Sequence, residues 1–258
     1  MIRSGNPALK ESTFLDLGSG AVVSRDAGAM SLNGTVNKTG ILLLLSVLTA
    51  AFAWNQSIAV GADGMATVAP GVVGYMLGGA IGGFILAMVT IFKKTWAPVT
   101  APLYALVEGF FLGSISAMYE LRFDGIVFQA VLLTFGTLFA LLMAYRSGLI
   151  KATENFKLGV VAATGAICLL YLVGFVASLF GKPFAFLHDS SWLSIGISAF
   201  VVVIAALNLV LDFDFIEKGV EHGAPKYMEW YAGFGLIVTL VWLYLEILRL
   251  LAKLQSRD

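Results

Sequence analysis

The stretch LNLVLDFDFIE, residues 207–217, closes a long apolar run with two aspartates and a glutamate. Carboxyl groups so placed have two uses. They can be the wet end of a membrane helix, or they can exchange protons and cations inside a pore or transporter. Two positions apart on a helix, Asp212 and Asp214 project about 200° apart and cannot both face one partner. Asp214 has Lys218 four residues on, an exposed pair worth roughly 0.2–0.5 kcal/mol. That makes Asp214 the solvated residue and Asp212 the inward one.

Further candidates lie elsewhere. Glu108, in LYALVEGFFLGS, sits mid-segment with no basic residue within a helical turn. It is either a neutral carboxyl hydrogen-bonded inside a bundle or an ion- and proton-handling group. Glu246, in WLYLEILRLL, precedes Arg249 by three residues, so a local ion pair is its ordinary role. Glu229 opens a helix, where the helix dipole alone favours an acid. Lys93 and Lys94 end another apolar segment; snorkelling explains them, and either has the reach to latch an inward carboxylate. A charge near the bilayer centre costs about 2.5–3.5 kcal/mol, so a residue like Glu108 normally faces a cavity or a partner.

The elements that must position these groups follow from composition. Of 258 residues, 59% are hydrophobic and 12% charged, and the mean hydropathy is +0.90. A soluble domain carries roughly 25% charged residues, so this chain cannot cover a water-facing surface. It reads as an all-α integral membrane protein. A bilayer core of about 30 Å needs roughly 20 mainly apolar residues per helix, and seven segments qualify: about 39–59, 69–92, 99–119, 125–145, 158–180, 191–213 and 229–252. Short connections make neighbouring helices antiparallel. Residues 1–38, polar and rich in Gly and Ser, lack an apolar signal-peptide core and read as a flexible cytoplasmic tail. The membrane domain covers 39–253, and 254–258 form a polar C-terminus.

Lys and Arg give the orientation. Arg3, Lys10, Arg25, Lys38, Lys93, Lys94, Arg146, Lys151, Lys157, Lys218 and Lys226 fall on one side, and only Arg122 and Lys182 in the opposite loops. The N-terminus is therefore expected in the cytoplasm. Arg249, Lys253 and Arg257 then break the rule at the far end of helix seven. Gly74, Gly78 and Gly82, with Gly79 and Gly83 beside them, and Gly109 with Gly113, are spaced for close helix packing.

Several classes are disfavoured. A net charge of zero, from 16 basic and 16 acidic residues, argues against nucleic-acid binding. The lone Cys168 forms no internal disulfide. The two histidines, His188 and His222, fall in loops on opposite sides, so a metal site or Ser-His hydrolase built from them is not expected, and no catalytic motif appears. No cofactor is expected beyond a transient calcium or other cation.

Four stretches carry a resemblance: LNGTVNKTGILLLL, APLYALVEGFFLGSISAMYE, LLTFGTLFALLMAYRSGLIKATENFK, and the long LNLVLDFDFIEKGVEHGAPKYMEWYAGFGLIVTLVWLYLEILRLL. With the seven-span pattern they make the chain similar to the Bax inhibitor 1 (transmembrane Bax inhibitor motif) family, in its bacterial branch with a longer polar N-terminus. The resemblance implies six helices around a central seventh. It also implies a pair of acids on helices six and seven that senses pH and gates a calcium leak. The family pattern of an Asp four residues before an Ile is met by Asp212 and Ile216, and a basic latch at the end of helix two by Lys93 or Lys94. The second acid should fall near Val238 or Thr239, neither of which is acidic. Glu246, Glu229 or Asp214 would have to substitute.

Two functions compete. One is a pH-sensitive cation leak channel or low-flux transporter of the bacterial inner membrane, with calcium the first candidate ion. The other is a non-conducting regulator that binds another membrane protein, such as a membrane-anchored protease. A membrane enzyme ranks well below both.

Overall fold

The computed structural model describes residues 28–61, 64–181, 184 and 189–257. Most of the expected tail, residues 1–27, lies outside them, as do Lys182 and His188. The helices are α1 (Leu32–Ser57), α2 (Val72–Phe92), α3 (Ala97–Glu120), α4 (Ile126–Arg146), α5 (Glu154–Leu179), α6 (Trp192–Glu221) and α7 (Met228–Gln255). These seven are long and apolar enough to cross a membrane. Backbone groups in hydrocarbon must bond within their own segment, which only helices and closed barrels allow. The protein is thus an all-α integral membrane protein. A short antiparallel hairpin, β1 (Ile58–Val60) with β2 (Ala66–Val68), joins α1 to α2, and a single 3-10 turn (Lys94–Trp96) joins α2 to α3.

Several boundaries differ from the sequence reading for local reasons. α1 begins at Leu32, inside the stretch read as tail, because the Ser31 hydroxyl caps it by accepting from Gly34 N–H at 3.0 Å. α5 begins at Glu154, capped by the Thr153 hydroxyl, so Lys157 belongs to the helix and not to the loop before it. α6 runs eight residues past the expected 213 and stops where Gly223 takes a φ of +63°, which only glycine adopts freely. Asp212 and Asp214 are therefore inside α6, not at its end.

The chain forms two compact units, and α6 and α7 each contribute to both. The first holds residues 28–127 and Ile216–Val238. Its α1–α3 seam is built on small residues: Ala101, Ala105, Gly109, Gly113 and Ala117 repeat every fourth position along α3, and all are buried. Gly109 faces Thr49 and the Ser46 carbonyl, and Gly113 faces the Ala50 carbonyl. The Ser46 hydroxyl donates to Ala105 C=O across the seam at 3.0 Å. Against α2 the close approach uses Gly79 at Phe111, Gly82 at Val107 and Gly83 at Glu108, whereas Gly74 and Gly78 meet nothing within 4 Å. Four-residue spacing alone did not say which glycines pack.

The second unit holds Phe128–Phe215 and residues 239–257. In it α5 and α6 are antiparallel, with Asn208 Nδ2 donating to Thr164 Oγ1 at 2.8 Å and Ile167 packing on Val201 and Ile204. α6 and α7 are antiparallel as well, Lys253 reaching Ser198 near the start of α6.

The seam makes a stability contrast. A Cβ at residue 113 would lie 2.1 Å from the Ala50 carbonyl oxygen, a main-chain atom that cannot step aside, while one at residue 78 meets nothing. Gly113→Ala should cost about 1–3 kcal/mol, as overpacking does, and Gly78→Ala should cost nothing measurable. Thermal unfolding of the purified variants in detergent reads the difference; equal midpoints would refute this packing.

Candidate functional site

The acids named from the sequence are all buried, and each has a different environment. Asp212, like Glu229, has no exposed surface, and among the described residues neither of its carboxyl oxygens finds a hydrogen-bond partner. Thr239 of α7 faces it, but no hydrogen bond of ordinary geometry closes between them. The register expected for the second acid is thus met in space by a threonine. Among the described residues no three His, Cys, Asp or Glu side chains gather.

None of the substitutes serves as that acid. Glu246 accepts from the Tyr171 hydroxyl and from Arg249 Nη1, each at 3.1 Å, and Arg249 Nη1 also donates to the Tyr171 hydroxyl at 2.8 Å. The local ion pair is real, with Tyr171 of α5 closing it into a triangle. Glu229, fully buried in the first unit, accepts from Ser31 N–H at 3.0 Å, from the Ser31 hydroxyl at 2.9 Å and from the Lys38 ammonium. It clasps the start of α1 to the start of α7, beside a β-bridge between Ala29 and Pro225. A helix dipole would have left it exposed; the clasp buries it. Asp214, expected to be solvated beside Lys218, is instead 9% exposed, and its Oδ2 lies 2.9 Å from Lys157 Nζ.

Glu108 is buried in the first unit, its Oε2 pressed towards Gly83, with Tyr104 flanking the same spot. Only a glycine at 83 leaves room, since a Cβ there would meet Oε2 at 2.4 Å. As for the expected latch, Lys93 is exposed and Lys94 half-buried in the 3-10 turn. The cation that holds an acid of α6 is Lys157. It was missed because Thr153 was not recognised as a helix cap, which placed Lys157 in a loop. His222 is exposed, its ring nitrogen against the Lys218 carbonyl.

The three cations that break the charge rule on α7 are all engaged inside the second unit. Arg249 binds Glu246, Lys253 is buried against Ser194 and Ser198, and Arg257 stacks on Trp192 with its guanidinium 3.8 Å from the ring centre. Thr239, Glu246 and Lys253 recur at seven-residue intervals, so they share one face of α7, and all three are buried. Outside the spans, Asp189 is held below the usual carboxylate range, mainly by the Ser191 hydroxyl that donates to it at 2.8 Å.

Lys157 gives a direct check. Its side chain is 3% exposed and that of Asp214 13%. Lys157→Met should cost about 3 kcal/mol, the low end for breaking a buried pair because Asp214 keeps some water. Adding Asp214→Asn to the same chain should recover more than half. Detergent unfolding midpoints of the two single variants and the double variant measure the coupling, and simple additivity would refute it.

No curated protein and no solved structure matches the chain. A family model described as Bax inhibitor 1 like matches residues 6–256, nearly the full length. With seven apolar helices and an aspartate buried in the sixth, the chain belongs to the Bax inhibitor 1 like family.

Proposed function

We propose that this protein is a pH-sensitive cation leak channel or low-flux transporter of the bacterial inner membrane, with its N-terminus in the cytoplasm and calcium as the first ion to test. One observation carries the reading: both carboxyl oxygens of Asp212 are buried and unbonded. An ionised carboxylate left so is unfavourable by several kcal/mol. A proton or a cation completes it, and exchange between the two is what a pH-dependent cation pathway requires.

Its surroundings support the idea. Polar side chains recur on the α6 face that carries Asp212, from Asp212 with Thr239 of α7 to Asn208 with Thr164 of α5, and on to Ser198 and Ser194. From residue 194 to 212 an α-helix rises about 27 Å, close to the thickness of a bilayer core. Protonated Asp212 holds no cation; deprotonated Asp212 attracts one. Flux should therefore rise from acid to neutral pH. Localisation rests on the distribution of Lys and Arg and on the bacterial branch the chain resembles. No step needs a cofactor, and no enzymatic activity is proposed.

Purified protein in vesicles loaded with a calcium dye tests this. Wild type should show flux that climbs with pH, and Asp212→Asn should lose at least five-fold in rate and lose the pH dependence. No flux at any pH would sink the reading and favour the regulator that binds a membrane protein. Thr239→Asp supplies a second carboxyl opposite Asp212. Because such a pair titrates as a unit, its pH profile should spread over two steps; a profile superimposable on wild type would show that residue 239 does not face the pathway.

A further inference from the structure

Lys253 is buried at the far end of the same seam, 14 residues or about 21 Å along α7 from Thr239. Its ammonium is held by neutral oxygens: the Ser194 hydroxyl at 2.7 Å, the Ser198 hydroxyl at 2.9 Å and the Ser194 carbonyl at 3.5 Å. Among the described residues no carboxylate forms an ion pair with it. Asp189 on the loop before α6, and Glu246 and Arg249 on α7, act on it only at longer range, and Glu246 is already bound by Arg249.

This is not a snorkelling lysine. A snorkelling side chain carries its charge out to water, whereas this one is turned into the α6–α7 seam between two buried serines. A buried ammonium with no direct ion pair, linked to the acid Asp189 only through the Ser194 hydroxyl, is costly and, inside a membrane domain, marks an ion path more often than a structural need. Hydroxyl and carbonyl oxygens arranged around an ammonium are also what replaces the water shell of a small cation in a selectivity site.

We infer that Lys253 is a tethered plug: its ammonium occupies a monovalent-cation site made by Ser194 and Ser198 and closes the end of the pathway remote from Asp212. This inference rests on the conducting reading above. It would keep the pathway slow even when Asp212 is ionised, since an ion must displace the ammonium or pass beside it.

The test uses the full chain in vesicles with potassium- and calcium-sensing dyes. Lys253→Met should raise cation flux at least five-fold over wild type, and Lys253→Arg should stay near wild type. A rescue separates the plug from general loosening. In a Cys168→Ser background, which removes the exposed native thiol, Lys253→Cys should be leaky. Aminoethyl methanethiosulfonate, which rebuilds an ammonium on a tether one atom longer than lysine's, should restore slow flux, and neutral methyl methanethiosulfonate should not. If wild type conducts and Asp212→Asn abolishes it, but Lys253→Met leaves the rate unchanged or the two reagents act alike, the plug is overturned alone. If no variant conducts, including Lys253→Met, the plug falls together with the conducting function.

Discussion

A charged side chain taken out of water must be matched by something, and the buried charges of this protein meet that demand in unequal ways. Glu229 gathers a main-chain N–H, a hydroxyl and an ammonium. Glu246 has a guanidinium and a phenol, and Asp214 has an ammonium. Among the described residues Lys253 has only neutral oxygens as hydrogen-bond partners, and neither Asp212 oxygen has one, although Thr239 faces them. The gradient is informative because the cost is similar for each. Matched charges act as fasteners between helices, and their loss should be felt as stability. The mismatched ones hold no helix to another by an ion pair, and in the proposed conducting role their loss would be felt as ion movement.

The fasteners also explain how the mismatched groups stay in place. In the first unit, small residues every fourth position on α3 bring α1 within reach of hydroxyl-to-carbonyl contacts, so packing and polar satisfaction reinforce each other. In the second unit, α5 is tied to α6 by Lys157 with Asp214 and by Asn208 with Thr164, on either side of Asp212 along the helix. These ties hold α6 to α5 on either side of Asp212, whose carboxyl meets Thr239 of α7 without an ordinary hydrogen bond.

How much of this was legible in the sequence depended on the range of the interaction. Helix number and order followed from apolar run length, a local property. The inward aim of Asp212 followed from an Asp214–Lys218 pairing that the structure replaces with Asp214–Lys157, and the Glu246–Arg249 pair from three-residue spacing. The register that sets residue 239 opposite Asp212 came with the family resemblance. What was not legible involved partners distant in sequence. The burial of Asp214 depends on Lys157, which is 57 positions away, and that of Glu229 on Ser31 and Lys38, nearly 200 away. Local charge rules gave Asp214 to Lys218 and Glu229 to the helix dipole because those were the only partners in view. The glycines show the same limit: Gly78 and Gly79 are adjacent in sequence, and only contact with Phe111 distinguishes them.

The threonine opposite Asp212 bears on how such a site works with one acid. Two facing carboxyls can hold a proton between them, and the shared proton is itself a closed state. A carboxyl facing a hydroxyl has no second charge to repel when it ionises, so titration alone supplies little force to part the helices. Control must then come from elsewhere along the same face of α7, where Glu246 and Lys253 follow at heptad intervals. Glu246 is neutralised by Arg249. Among the described residues, that leaves the Lys253 ammonium as the charge on this face with no ion-pair partner, at the other end of the seam from Asp212. In the proposed conducting role, the acid at one end would make entry answer to proton concentration. The cation at the other end would limit exit, so pH sensitivity and slow conduction would be separate properties, set by different residues of one helix pair.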